Sequence, residues 1–329
     1  MQKNTFINIG LSAGSIIGFF LVIEFGLRIT GLQTVAPNPP KIYQRSQNPE
    51  ISYELKPNLK NEKAYKAHVS TDGHGFRLNA PNPNPNPIIA VLGDSITFGY
   101  GVNDNETLSA RLEQYASHFQ FLNAAVPGYE LTQETATYGE KILSIAPQGV
   151  IIVFYWNDLN GTPPGILDDD GVLRGADWDP SQKTCQPIKE GVMGWIPGKC
   201  ALDDHSAFYK ALKKLINLRQ SKVAQKEERE SAGSAQENVN KEYLDAYVKQ
   251  LREFSRLLPE RRYFVIWPDD NLHTETRPQL IAAAERAKFT VIDLYDTFGN
   301  AVPTLPWDTV HPHPDAIEEA ANIIAERMR

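Results

Sequence analysis

Residues 88–102 read IIAVLGDSITFGYGV. Five apolar residues of strand type, Ile88 to Leu92, run into Gly93-Asp94-Ser95, and the chain then turns small and glycine-rich. A continuous apolar strand is the pattern of a sheet buried on both faces. A serine just past its end has two readings. The start of a helix leaves backbone N–H groups unpaired. Asp94 or Ser95 could cap such a helix. Equally, Ser95 could be a nucleophile whose developing oxyanion those same donors stabilise.

The flanking sequence supplies the sheet. Apolar runs recur in FQFLNAA (119–125), GVIIVFYW (149–156), RRYFVIWP (261–268) and FTVIDLY (289–295). Between them lie amphipathic segments. In NETLSARLEQYA (105–116), Leu108, Leu112 and Tyr115 share one helical face. TQETATYGEKILSIA (132–146), KEYLDAYVKQLREFSRLL (241–258), RPQLIAAAERA (277–287) and a last helix from near Asp315 follow the same rule. Buried strands alternating with helices predict a three-layer α/β/α sandwich around a mostly parallel five-stranded sheet.

Three further segments surround that core. Phe6 to Leu27 is apolar apart from Asn8, two serines and Glu24. About 20 such residues cross a ~30 Å hydrocarbon layer. A cleaved signal peptide would need a short apolar core and a small-x-small site. Neither is present, so an uncleaved membrane helix is expected, with residues 1–32 as the anchor. Glu24 and Arg28 are spaced to pair. Residues 33–87 read as a proline-rich spacer (33–50) and a short hairpin or extended arm (51–80), ending in PNPNPNP (81–87), which neither helix nor central strand accepts. Residues 88–329 form the main domain, with an insertion at about 159–240. Within it, SAFYKALKKLINLRQ (206–220) reads as helix, and KVAQKEERESAGSAQENVN (222–240) as a flexible loop or frayed helix.

Net charge is −7 and no basic run or basic–aromatic stripe appears, so no nucleic-acid partner is expected. The two cysteines, Cys185 and Cys200, bracket a short loop with no neighbouring metal-ligand pattern. A disulfide closing that loop is expected, worth ~3 kcal/mol, against the alternative of two unpaired core cysteines. Disulfides persist outside the cytosol. The basic residues around the anchor, Lys3 against Arg28, Lys41 and Arg45, do not favour that orientation. The cysteine pair is what places the main domain on the extracytoplasmic side.

A serine hydroxyl needs a base, commonly a histidine held by a carboxylate. Among the seven histidines, His273 in WPDDNLHTE is one candidate. His311 in PWDTVHPHPD is the stronger one, because it follows the last strand and has Asp308 three residues before it. On a tight turn that spacing lets the carboxylate reach Nδ1 while Nε2 faces away. His313, between two prolines, suits a loop or cap role. Asn157, after the third strand, can donate a side-chain amide to an oxyanion. Gly128, after the second, lets a backbone N–H approach a ligand. Each also reads as an ordinary turn residue.

Together, GDSITFG, NAAVPGY, WND and DTVHP resemble the SGNH/GDSL hydrolase family in order and spacing, over Ile88–Asp158 and from Tyr263 onward. The resemblance implies a serine nucleophile at Ser95, a base and its carboxylate at His311 and Asp308, and an oxyanion hole from the N–H groups of Ser95 and Gly128 with the side chain of Asn157. It implies no metal or organic cofactor. One departure is Tyr155, where the family often carries glycine two residues before the asparagine. Expected activity is hydrolysis of acyl esters through an acyl-enzyme, on an acylated small molecule or an envelope glycan. The alternatives are transfer of the acyl group to a glycan hydroxyl, with a membrane partner delivering the donor, and a non-catalytic envelope binding module. The expected location is a bacterial inner membrane, with the main domain facing the periplasm.

Overall fold

The structure is a computed structural model and describes residues 2–32, 40–79, 86–161, 163, 165–176, 178–179, 198–231, 237 and 239–329. In chain order it begins with helix α1 (Gln2–Thr30). Two small antiparallel hairpins follow, β1 (Tyr43–Arg45) with β2 (Tyr53–Leu55) and β3 (Glu62–Ala64) with β4 (Ala67–Val69). Then come β5 (Ile88–Leu92), α2 (Ser95–Phe98), α3 (Leu108–Tyr115), β6 (Gln120–Asn123), α4 (Leu131–Thr137) and β7 (Gly149–Phe154). The insertion carries a hairpin of β8 (Ile166–Leu167) and β9 (Leu173–Arg174), then α5 (Lys199–His205) and α6 (Ala207–Ser231). The chain closes with α7 (Lys241–Phe254), β10 (Arg261–Ile266), α8 (Thr276–Arg286), β11 (Thr290–Asp293), α9 (Tyr295–Phe298) and α10 (Pro314–Arg327).

Contacts divide the chain into two units, Met1–Asn38 with Asp179–Val223, and Pro39–Trp178 with Ala224–Arg329. The larger unit is built on one five-stranded sheet, ordered β11-β10-β7-β5-β6, with every neighbouring pair parallel. Successive side chains of a strand face opposite ways, and both faces are covered. Ile89, Val91, Ile151, Val153 and Val265 pack with α3 and α10 through Leu108, Leu112, Ile317 and Ile324. Ala90, Leu92, Ile152, Phe154 and Phe264 pack with α4, α7 and α8 through Leu131, Leu251 and Leu280. That is the expected three-layer α/β/α sandwich.

Three local readings change. The helix expected over 132–146 is α only through Thr137. It then widens into a π turn over Tyr138–Ile142 and tightens to 3-10 over Leu143–Ile145 before a left-handed Ala146 at φ +51°. Gly139, a poor helix former, stands inside the wide turn. The charged run after residue 221 remains helical to Ser231. Tertiary bonds stabilise this polar stretch: Gln225 Nε2 donates to the Thr309 carbonyl at 2.7 Å, and Arg229 pairs with Asp270 at 2.6 Å. The spacer expected over 33–50 is built into the fold from Ile42 onward, and the arm after it carries the β3–β4 hairpin. Ile42, Tyr43, Ile51, Tyr53 and Leu55 are buried in a third apolar cluster with Phe98, Ala125, Val126 and Tyr129.

In the smaller unit, α1 is long and apolar enough over Ile7–Thr30 to cross a membrane. Its Glu24 and Arg28 pair at 2.6 Å, and Glu24 also accepts from the Ala207 and Phe208 N–H groups that open α6. Cys200 lies in the first turn of α5. Cys185, and with it the expected Cys185–Cys200 pairing, lies outside the described residues.

Candidate active site

All five strands run the same way, so the loops after their carboxyl ends meet at one edge of the sheet, where ligands bind in such folds. Ser95 opens α2 three residues after β5 ends. The tightness of that turn explains Gly93. Its φ is +151°, and a Cβ there would stand 2.2 Å from Thr97 Oγ1. Asp94 caps the helix, its Oδ1 accepting from Ile96 N–H at 2.9 Å. The far end of α2 closes on a left-handed Gly99. There the buried Arg77 guanidinium donates to the carbonyls of Phe98, Gly99 and Val102 at 2.7–2.8 Å and pairs with Asp104 at 3.1 Å. A four-residue helix too short to be stable alone is thus held at both ends.

Asp308 and His311 share one tight turn. Asp308 Oδ1 accepts the N–H groups of Val310 and His311 at 2.7 and 2.9 Å. This leaves Oδ2 for the ring, 2.8 Å from His311 Nδ1. The opposite nitrogen, Nε2, lies 2.9 Å from Ser95 Oγ. With Nδ1–H donating to the carboxylate, Nε2 is free to accept from the serine hydroxyl. Partial burial works to raise the Asp308 pKa, but the bonds and charge it shares with His311, together with Val310 N–H, outweigh it and hold the carboxyl at about 2. His313 takes a different part. It caps α10, Nδ1 accepting from Asp315 N–H at 3.3 Å.

Asn157 stands in a 3-10 turn directly after β7, and its Nδ2 donates to Asp94 Oδ2 at 3.0 Å. One of its two amide hydrogens is therefore committed, and the second remains to serve a ligand. Ser95, Tyr155, Asn157 and His311 line one cleft of about 700 Å³. Gly128 stands on the loop after β6, exposed and left-handed at φ +79°, and is not among the cleft's lining residues. Its position is set by Tyr53, whose hydroxyl donates to the Pro127 carbonyl at 2.8 Å.

The cleft contains features that sequence reasoning missed. His273 pairs with Asp269, Nε2 lying 2.9 Å from both carboxylate oxygens, and stacks on Trp156 at 3.4 Å. The candidate base of WPDDNLHTE is thus bound to a carboxylate of its own, and the four-residue spacing of Asp269 and His273 was the available signal. Glu228 and Glu237 join Asp269 along the same wall. Behind the nucleophile, burial raises the Asp94 pKa, opposed by its bonds to Ile96 and Asn157. Burial, then the Asp94 charge, pushes Glu134 up to about 8. Asp158 is raised by burial and by the charges of Glu134 and Asp94. Among the described residues no His, Cys, Asp and Glu side chains gather into a group able to hold a metal ion.

No family model matches the sequence, and no curated protein matches it. Solved structures do resemble it. A psychrotrophic esterase from Pseudoalteromonas sp. is 11% identical, covering 74% of this chain and 97% of its own, with a TM-score of 0.42. A lipase/acylhydrolase from Enterococcus faecalis is 12% identical, covering 73% and 94%, with a TM-score of 0.42. An acetylxylan esterase from Geobacillus stearothermophilus is 14% identical, covering 74% and 94%, with a TM-score of 0.38. At such identities the chemistry has to be read from this chain's own residues.

Proposed function

We propose that this chain is a serine ester hydrolase of SGNH/GDSL type. The observation that carries the reading is the unbroken relay Ser95 Oγ, His311 Nε2, His311 Nδ1, Asp308 Oδ2, with steps of 2.9 and 2.8 Å, opening into the cleft. His311 takes the Ser95 proton as Oγ attacks the ester carbonyl, and Asp308 stabilises the imidazolium that forms. The tetrahedral oxyanion is received by Ser95 N–H and the uncommitted Asn157 amide hydrogen, and the family resemblance adds Gly128 N–H, on the loop after β6, as a third donor. His311 then returns its proton to the departing alcohol. Water repeats the sequence on the acyl-enzyme and releases the acid.

The substrate is an acylated small molecule or an envelope glycan bearing O-acetyl groups. The apolar helix at Ile7–Thr30 supports membrane anchoring. The catalytic unit then faces the periplasm of a bacterial cell. A second reading is acyl transfer to a glycan hydroxyl, with the donor handed over by a membrane partner. The cleft's polar wall of Asn160, Asn271, Glu228 and Glu237 favours it by offering partners for an acceptor's hydroxyls.

The deciding experiment is p-nitrophenyl acetate hydrolysis by the full chain in detergent beside Ser95→Ala. Turnover that disappears in the variant supports the hydrolase. Turnover that survives removes Ser95 from the mechanism. Release that accelerates only on adding an acceptor sugar, with acylated sugar as product, favours transfer.

A further inference from the structure

His311 is held in its ring plane by two hydrogen bonds, one at each nitrogen. Neither resists tilting of the ring about the axis through them. What opposes tilt is a face contact, and Tyr100 makes one, its ring stacked on the imidazole at 3.8 Å and 17°. Tyr100 is itself backed by Tyr65, 4.1 Å away at 31°. The Tyr65 hydroxyl bonds to the hydroxyl of the buried Tyr43 in β1.

Tyr65 comes from outside the α/β core. It and Lys66 are the two loop residues between β3 and β4, where Ala64 pairs with Ala67. Both are left-handed, at φ +54° and +65°. A two-residue hairpin turn with both residues in this region calls for Asn-Gly, Asp-Gly or Gly-Gly. A tyrosine followed by a lysine is a costly choice there, and such backbone strain persists at sites where the side chains have a task. Both side chains reach the base-bearing loop: Tyr65 through Tyr100, and Lys66 with its ammonium 4.1 Å over the ring of Trp307, the residue before Asp308.

We propose that the tip of the β3–β4 hairpin is a clamp on the catalytic base, with Tyr65 and Tyr100 as positioning residues that hold the His311 ring in line with Ser95 and Lys66 pinning the Asp308 turn through Trp307. The phenol face also suits the imidazolium that forms when the base takes the serine proton. The clamp rests on the hydrolase reading only for its effect on turnover.

The test replaces both loop residues in the full chain, Tyr65→Asn with Lys66→Gly. This is the preferred sequence for the turn, so the hairpin stays folded, while the lost partner of the Tyr43 hydroxyl lowers Tm only modestly. The clamp predicts that kcat on p-nitrophenyl acetate nevertheless falls about tenfold, with KM within about twofold, as small misplacements of a reacting group do. Tyr100→Leu gives the same loss, and Tyr100→Phe, which keeps the ring, restores wild-type kcat. A second readout needs no activity. The low-field proton resonance of His311 Nδ1–H should be sharp in the wild type and Tyr100→Phe, and broadened in Tyr100→Leu and the double variant. Wild-type kcat in the double variant, or an unchanged resonance, overturns the clamp. A wild type that cleaves no ester defeats the hydrolase reading while the resonance still decides the clamp.

Discussion

Asp94 ties Asn157 to the nucleophile: one carboxylate oxygen accepts from Asn157 Nδ2 at 3.0 Å and the other from Ile96 N–H, next to Ser95, at 2.9 Å. The amide and the start of α2 are thereby fixed to each other by a single buried side chain.

If Asn157 serves the oxyanion, Asn157→Ala should lower kcat by about 10²–10³-fold with little change in KM. Asp94→Asn should cost a similar factor while leaving Tm nearly unchanged. The new carbonyl oxygen can still cap α2, but the new amide faces the Asn157 amide donor to donor, turning Asn157 so that its oxygen points into the cleft. Steady-state kinetics with thermal melts would check both. An Asp94→Asn enzyme with wild-type kcat would remove Asp94 from the support of the amide.

Asp308→Asn should lower kcat by roughly 10⁴-fold, because the ring loses the partner that sets its tautomer. The folded pKa of Asp308, about 2, lies below its ordinary 3.8. Its contribution to stability is therefore present above pH 3.8 and lost as pH falls through about 2. Chemical denaturation between pH 2 and 5 should show a smaller acid-side slope in Asp308→Asn than in wild type.

Glu134 gives the opposite sign. Burial beside the Asp94 charge raises it from 4.5 to about 8. The protein should lose stability as pH rises from about 4.5 through about 8, because the folded state binds the proton more tightly than the unfolded one. Glu134→Gln should flatten that slope. A slope unchanged by the substitution would show that Glu134 is already ionised in the fold.

Gly93→Ala should destabilise by at least ~1–3 kcal/mol, since φ is +151° and the added methyl would meet Thr97 Oγ1. Gly139→Ala meets nothing within 4 Å and should stay within about 0.5 kcal/mol of wild type. Thermal melts of the pair separate a glycine the turn requires from one it tolerates.

Much of the sheet was legible because its signals are local. The runs at 88, 149 and 261 are apolar on both faces, and only a strand covered by helices on both sides accommodates that. The Asp308–His311 pairing was legible for the same reason, since four residues of one turn contain it. His273 was harder. Its partner Asp269 is close in sequence, but its stacking on Trp156 comes from another strand's loop. Between flexible loop and frayed helix, the polar stretch to Ser231 is decided by supports far along the chain, Asp270 and the Thr309 carbonyl.

The succession of strands and helices along the chain, the Gly-Asp-Ser turn and the Asp-x-x-His turn are written locally, because each follows from backbone preferences and spacing within a few residues. Their meeting is a product of long-range packing. Parallel strand order brings Ser95 and His311, 216 residues apart, to 2.9 Å. Tyr53 of the arm bonds the Pro127 carbonyl beside Gly128, and Tyr65 of the arm packs on the Tyr100 ring that stacks on His311. Side-chain contacts across such separations are set by packing of the whole core, and no local pattern of residues encodes them.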